Sequence, residues 1–310
     1  MGSFMGQFAN VPVTHLGAAA IKGALVRANF DGHRIDEVFM GHVLQAGAKQ
    51  APARNAALLA GVSDQTPCTT VNKVCSSGLK AVMFAAQAIQ CDDAQVVVAG
   101  GMESMSMTPH YLRARAGAKF GNLNLLDGIM EDGLTDAQDG SIMGSCAELC
   151  AKEHDFDRKA QDDYARSSYQ RAAKAWDNGL FKDEIIAVDV PQGKGNSLSI
   201  IEDEEYKRVN FDKMSELRPS FQKDGTVTAA NASTLNDGAS ALLIMNREQS
   251  DAAQLKPLAR ILSYADAARD AARFTIAPSL AIPKALDKAG LKIEDIDSES
   301  MKIHIRQGKG

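Results

Sequence analysis

The sequence predicts a layered α/β fold, and three observations predict it. A β-branched run from Cys68 to Val74 ends in Cys75-Ser76-Ser77-Gly78, passes into a helical stretch from Leu79 to Ile89, and is followed by the apolar run Gln95 to Ala99, which stops at Gly100-Gly101. A strand–turn–helix–strand unit of this kind is the parallel crossover of α/β proteins. The chain ahead of it alternates in the same way. Leu16 to Ala28 has helical apolar spacing at Leu16, Ala19, Ala20, Gly23, Ala24 and Val26, Glu37 to Leu44 reads as a strand, and Ala53 to Ala60 reads as a short helix closed by Gly61. There is also a weak internal repeat. Ile21, Ala24, Leu25, Ala28, Ile35 and Val38 match Ile282, Ala285, Leu286, Ala289, Ile293 and Ile296, with a three-residue gap, which suggests a duplicated unit.

From about residue 107 the character changes. Gly-, Asn-, Asp- and Met-rich loops fill 117–140, and two helices are expected at Ser141 to His154 and Arg158 to Asp177. Ile185 to Val190 reads as a strand, and a polar, charged stretch runs from Glu202 to Lys223. The run from Gly225 to Ala239 is built of small residues and turn formers, so a backbone or a ligand can approach it closely. It feeds a strand at Ala241 to Met245; a further strand is expected at Leu258 to Tyr264 and a helix at Ser279 to Ala289. The expected organisation is an α/β half over 1–106, an insertion over 107–230, a return to the first half over 231–257, the start of a second half over 258–297, and a tail over 298–310.

At 310 residues with 45% hydrophobic content, the chain can bury a sizeable core. A net charge of −5 argues against a nucleic-acid or membrane-surface role. No apolar run approaches the roughly 20 residues of a membrane span. Five cysteines form no paired framework, which fits a reducing compartment. Met1-Gly2 is followed by Gly6 where a myristoylation signal needs Ser or Thr, and no secretory or transit signal is read.

Cys75 carries the chemical argument. It sits where a strand hands over to a helix, and unpaired N–H groups and the helix dipole there favour an anion. A thiolate so stabilised is a nucleophile. A lone cysteine on a buried element is, on spacing alone, more often a small core hydrophobe. Cys146, Cys150 and His154 share a helix face at spacings of four and could bind zinc, but a fourth ligand is not evident and such a face more often packs against a core.

The strings N-K-V-C-S-S-G at 72–78 and G-G-M-E-S-M-S at 100–106, with D-G-T-V-T-A-A-N-A-S at 224–233, resemble the thiolase family, most of all its acetoacetyl-CoA thiolases, over about Gly2 to Asp297. The resemblance implies a thiolase fold of two similar α/β halves, with an inserted loop domain that holds coenzyme A. It implies that Cys75 takes the acetyl group when acetyl-CoA and acetoacetyl-CoA are interconverted, with no cofactor for the chemistry. The family's coenzyme A contacts fall on Met143, Arg208, Lys213, Phe221 and Ser233. Arg208 and Lys213 suit the nucleotide phosphates, although a charged run is also what a solvated loop looks like. Ile142 stands where the family usually has His, and Asn210 where it often has Asp. A potassium site of mitochondrial relatives would fall on Tyr169, Ala229, Ala230 and Ala232. The family also implies a homo-oligomer, dimer or tetramer, and a mitochondrial location, with the cytoplasm as the alternative.

The family continues past this point into W-E-x-N-E-A-F, C-x-G-G-G and G-H-P motifs, which supply an oxyanion-hole Asn, a second cysteine and a histidine base. None occurs in this sequence, and His304 has no G-H-P around it. The residues before G-S-F that begin the first strand are also not found. A truncated gene model, a retained intron or an alternative exon is the expectation. General base catalysis contributes about 10²–10⁴-fold, so little turnover is expected. The alternatives are a longer-chain 3-ketoacyl-CoA thiolase fragment, a non-catalytic coenzyme A-binding or regulatory subunit that joins intact relatives, or a chain whose bare sheet edges and apolar surface make it aggregate.

Overall fold

The computed structural model describes residues 1–117, 119–297 and 302–303. His304 and most of the 298–310 stretch lie outside them. In chain order the elements are β1 (Gly2–Ser3), α1 (Val13–Ala28), β2 (Glu37–Gly41), α2 (Pro52–Leu59), β3 (Cys68–Val71), α3 (Ser77–Gln90) and β4 (Val96–Ser104). Then come β5 (His110–Tyr111), β6 (Leu126–Asp127), α4 (Met143–Glu153), α5 (Arg158–Asp177), β7 (Val188–Gly193) and β8 (Asn196–Ile200). The chain closes with β9 (Asn236–Met245), α6 (Arg247–Ala252), α7 (Ala277–Ala289), β10 (Ile296–Asp297) and β11 (Lys302–Ile303).

The main sheet has the order β1-β9-β4-β2-β3. β2 pairs in parallel with β3 and with β4, while β9 runs antiparallel to β4 and to β1. Side chains alternate across it, as period two requires. Val38, Met40, Val96, Val98 and Met102 face one way and pack with Val13, Ile21 and Leu25 of α1 and Ala53, Ala56 and Ala57 of α2. Phe39, Val71, Val97 and Ala99 face the other way, against Ala81 and Ala85 of α3. The result is three layers: α1 and α2, the sheet, and α3.

Several boundaries differ from the sequence expectation. β3 ends at Val71 rather than Val74 because its partner β2 ends at Gly41, which pairs with Val71. β4 does not stop at Gly100-Gly101; it runs to Ser104 because β9 pairs with it along its whole length. β7 is the first arm of a hairpin whose turn uses Gly193, Lys194 and Gly195 at positive φ, and β8 was not expected. The strand expected at Leu258 to Tyr264 is absent. That stretch has no ladder partner among the described residues and is fixed by side chains instead, with Tyr264 Oη on Gln90 at 3.2 Å and Ser263 Oγ on the Ala285 carbonyl at 2.6 Å. Among the described residues, no helix is long and apolar enough to cross a membrane.

Glycines decide how close α3 comes to the sheet. A Cβ on Gly41 would lie 2.5 Å from the Gly78 nitrogen and 2.6 Å from the Ser77 carbonyl carbon, and one on Gly101 would lie 3.3 Å from the Gly78 Cα. The first turn of α3 therefore rests directly on the ends of β2 and β4. Both neighbours at Gly41 are backbone, which cannot swing aside. Gly41→Ala should lower the free energy of unfolding by about 1–3 kcal/mol, read from urea titration.

Candidate active site

Cys75 lies on the tight turn between β3 and α3. Asn72 opens the turn, its Oδ1 accepting from the Val74 N–H at 3.0 Å. Ser77 closes it. The Ser77 Oγ accepts from the Lys73 N–H at 2.8 Å and donates to the Val74 carbonyl at 2.5 Å. The Ser76 and Ser77 N–H groups bond back to Lys73 and Val74. Val74 is held at φ +48°. A β-branched residue in the left-handed region is an outlier that costs about 1–3 kcal/mol and persists only where its surroundings over-determine it. These five hydrogen bonds are what over-determines it.

The thiol is thereby turned outward. Cys75 is exposed, and the helix begins two residues later at Ser77, with Ser76 as its N-cap. Among the described residues, the Gly78 and Leu79 N–H groups have no hydrogen-bond partner. Two unpaired donors and the positive end of a 14-residue helix sit beside the thiol. Burial pushes the Cys68 and Cys146 thiols up.

Behind the turn, Glu103 at the end of β4 accepts from the Val43 and Leu44 N–H groups at 2.9 and 3.3 Å, and its Oε1 is 3.2 Å from Nε2 of the buried His42. The Val43 carbonyl in turn takes Asn72 Nδ2 at 3.5 Å, and the His42 N–H reaches the Val71 carbonyl at 2.9 Å. Glu103 thus fixes the end of β2, and β2 fixes the turn that carries Cys75. Sequence reading gave His42, Asn72, Ser77 and Glu103 no role. Asn72 and Ser77 lie inside the N-K-V-C-S-S-G string and Glu103 inside G-G-M-E-S-M-S, which is the signal that could have found them; His42 lies in neither.

Two buried carboxylates, Glu148 and Asp162, fasten the 225–231 loop to α4 and α5. Glu148 of α4 accepts from the Thr226 and Val227 N–H groups and from Thr226 Oγ1, at 2.9–3.0 Å. A Cβ on Gly225 would lie 2.2 Å from Glu148 Oε1, so the loop needs glycine there. Asp162 of α5 takes Arg158 Nε at 2.7 Å and Asn231 Nδ2 at 2.9 Å, while Asn231 Oδ1 accepts from the Thr228 N–H at 2.7 Å. The small-residue motif at 225–233 is therefore a braced loop.

Of the expected coenzyme A residues, Met143, Arg208, Lys213 and Phe221 lie within 107–230, and Ser233 lies just past that stretch. Met143 opens α4. Phe221 covers the next residue, where a Cβ on Gly144 would be 2.3 Å from the Phe221 ring, so the structure sets Phe221 against the first turn of α4. Arg208 and Lys213 follow in the 205–216 stretch of short turns; both are exposed, and neither meets a carboxylate among the described residues. Ser233 is exposed just past the braced loop. Tyr169 packs edge-on against Phe211 at 6.4 Å, and burial, then Glu205, pushes its hydroxyl up. The carbonyls of Ala229, Ala230 and Ala232 accept no hydrogen bond among the described residues. Cys146 is buried, and among the described residues no group of three or more His, Cys, Asp or Glu side chains is placed to hold a metal.

Comparison with known proteins adds to this geometry. Residues 1–248 match the family model of the thiolase N-terminal domain, and residues 255–303 match that of the thiolase C-terminal domain. The chain is 53% identical to an acetyl-CoA acetyltransferase of Schizosaccharomyces pombe over 96% of its length and 76% of the relative's. It is 52% identical to a mitochondrial acetyl-CoA acetyltransferase of Xenopus tropicalis, over 96% of this chain and 70% of that one. A cytosolic acetyl-CoA acetyltransferase of Gibberella zeae is 48% identical over 96% of this chain and 75% of its own. The fold superposes on Acat5 thiolase from Ascaris suum in complex with coenzyme A with a TM-score of 0.89, at 40% identity over 95% of this chain and 76% of that one.

The turn makes its own prediction. Ser77→Ala leaves the Lys73 N–H without its acceptor, and the loss should be about 1–3 kcal/mol of unfolding free energy, measured by urea titration.

Proposed function

Because the chain belongs to the thiolase family, we propose that it carries the chemistry of an acetyl-CoA C-acetyltransferase, with Cys75 as the acetyl acceptor. The observation that carries this reading is the outward thiol of Cys75 beside the unpaired N–H groups of α3. In the transfer, Sγ of Cys75 forms a bond to the acetyl carbonyl carbon as the bond from that carbon to the coenzyme A sulfur breaks. The proton lost by Cys75 goes to the departing coenzyme A thiolate. With acetoacetyl-CoA, the same thiol attacks the ketone carbon, the carbon–carbon bond breaks, and the carbanion released takes up the proton as acetyl-CoA. Among these 310 residues no G-H-P or C-x-G-G-G motif occurs, so no step is assigned to a second cysteine or to a histidine base.

Coenzyme A would lie along the inserted segment. Arg208 and Lys213 meet its phosphates, Met143 and Phe221 its apolar stretches, and Ser233 a polar group near the thiol. The Ascaris suum neighbour, solved with coenzyme A, supports that ligand class. The Tyr169 hydroxyl and the Ala229, Ala230 and Ala232 carbonyls make an all-oxygen set that suits potassium beside it. A homo-oligomer in the mitochondrion completes the reading, supported for the compartment by the mitochondrial relatives.

The test is thiolysis of acetoacetyl-CoA by the purified chain beside Cys75→Ala. Whatever thiolysis the chain shows, however slow, should disappear in the variant; turnover that survives in it overturns the assignment of Cys75. Arg208→Ala with Lys213→Ala should weaken coenzyme A binding about 10-fold or more in calorimetry, the equivalent of one lost charge-assisted contact. Unchanged binding would move the nucleotide elsewhere. Coenzyme A binding without any turnover from a monodisperse sample would favour the non-catalytic subunit.

A further inference from the structure

We propose that Asp266 is a positioning residue for Cys75: its carboxylate clamps Lys73 and Lys80, the two cations on either side of the nucleophile, and so holds the turn that presents the thiol. The inference rests on the reading of Cys75 as the acetyl acceptor.

The two lysines reach one carboxylate from opposite sides of Cys75. Lys73 Nζ bonds Asp266 Oδ1, and Lys80 Nζ lies 2.6 Å from Oδ2. Neither lysine has another acidic partner among the described residues. Lys73 precedes Val74, the residue at positive φ, and Lys80 stands in the first turn of α3 over the Phe84 ring at 4.9 Å. Two ammonium groups repel each other, so their convergence depends on the negative charge between them.

Asp266 is itself placed firmly. It comes from the stretch between α6 and α7, which has no ladder of its own, and that stretch is pinned from both sides. Tyr264 Oη reaches Gln90 at the far end of α3, while Ser263 Oγ bonds the Ala285 carbonyl. Lys288 Nζ bonds the Tyr264 carbonyl at 3.0 Å, and Lys284 Nζ lies 3.5 Å from the Asp266 carbonyl. The segment thus bridges α3 and α7, and Asp266 is where it meets the nucleophile turn. The hydrogen bonds from Lys73 and then Lys80 hold the Asp266 carboxyl below its ordinary 3.8. The clamp is therefore charged above that value and is lost only as pH falls through the depressed one.

The full chain is the right test object, as wild type, Asp266→Asn and Asp266→Glu. Hydrogen exchange of the Val74, Ser76 and Ser77 amides reads the turn, and the rate of acetyl transfer to Cys75 from acetyl-CoA reads its consequence. In Asp266→Asn, which keeps the shape and loses the charge, these amides should exchange about 10-fold faster. The transfer rate at saturating acetyl-CoA should fall about 10-fold with the half-saturating concentration unchanged, because only the attack geometry has altered. Asp266→Glu should restore both, and adding Lys73→Met to Asp266→Asn should change neither further. Wild-type behaviour in Asp266→Asn, or failure of Asp266→Glu to rescue, overturns the proposal. The exchange readout needs no acetyl transfer, so a wild-type chain in which Cys75 takes up no acetyl group counts against the proposed function alone.

Discussion

Backbone touches backbone behind the Cys75 turn, and the rest of the candidate site depends on that contact. With Gly41, Gly78 and Gly101 all lacking a Cβ, the first turn of α3 lies directly on the ends of β2 and β4. The turn from Asn72 to Ser76 then has a short, fixed span to cross. It crosses it by holding Val74 in a left-handed conformation that no β-branched residue adopts readily. Cys75 is exposed as a result, with the unpaired donors of α3 beside it. Cys91 is the other exposed cysteine, and it caps the opposite end of the same helix, where the dipole disfavours an anion.

Carboxylates perform the second task, that of fixing loops which have no ladder. Glu103 ties down the end of β2, Glu148 gathers the 225–227 backbone, and Asp162 joins Arg158 to Asn231. Glu148 and Asp162 are buried, and each accepts several hydrogen bonds that compensate for leaving water.

How much of this was legible in the sequence varied with where the determining partner lay. Helix α5 was read as Arg158 to Asp177 and occupies those residues, because its start is set locally by the Asp157 side chain accepting from Ala160. Strand ends were read less well, because they are set by another strand. Gly100-Gly101 looked like a stop, yet β9 carries β4 through it; Lys73 and Val74 looked like strand, yet β2 had already ended. The 258–264 run has strand composition and no ladder partner among the described residues. Cys75 could be singled out because its motif is contiguous. Glu148 and Asp266 could not, because a charge in a sequence has no address until the fold brings its partner within reach.

The central claim is that the fold selects one thiol of five for acyl transfer. Labelled acetyl-CoA, proteolysis and peptide mass spectrometry test it most directly, with Cys91 as the exposed control on the same helix. The account predicts an acetyl thioester on the peptide that contains Cys75 and none on the Cys91 peptide. Equal labelling of the two, or label on Cys91 alone, would contradict it.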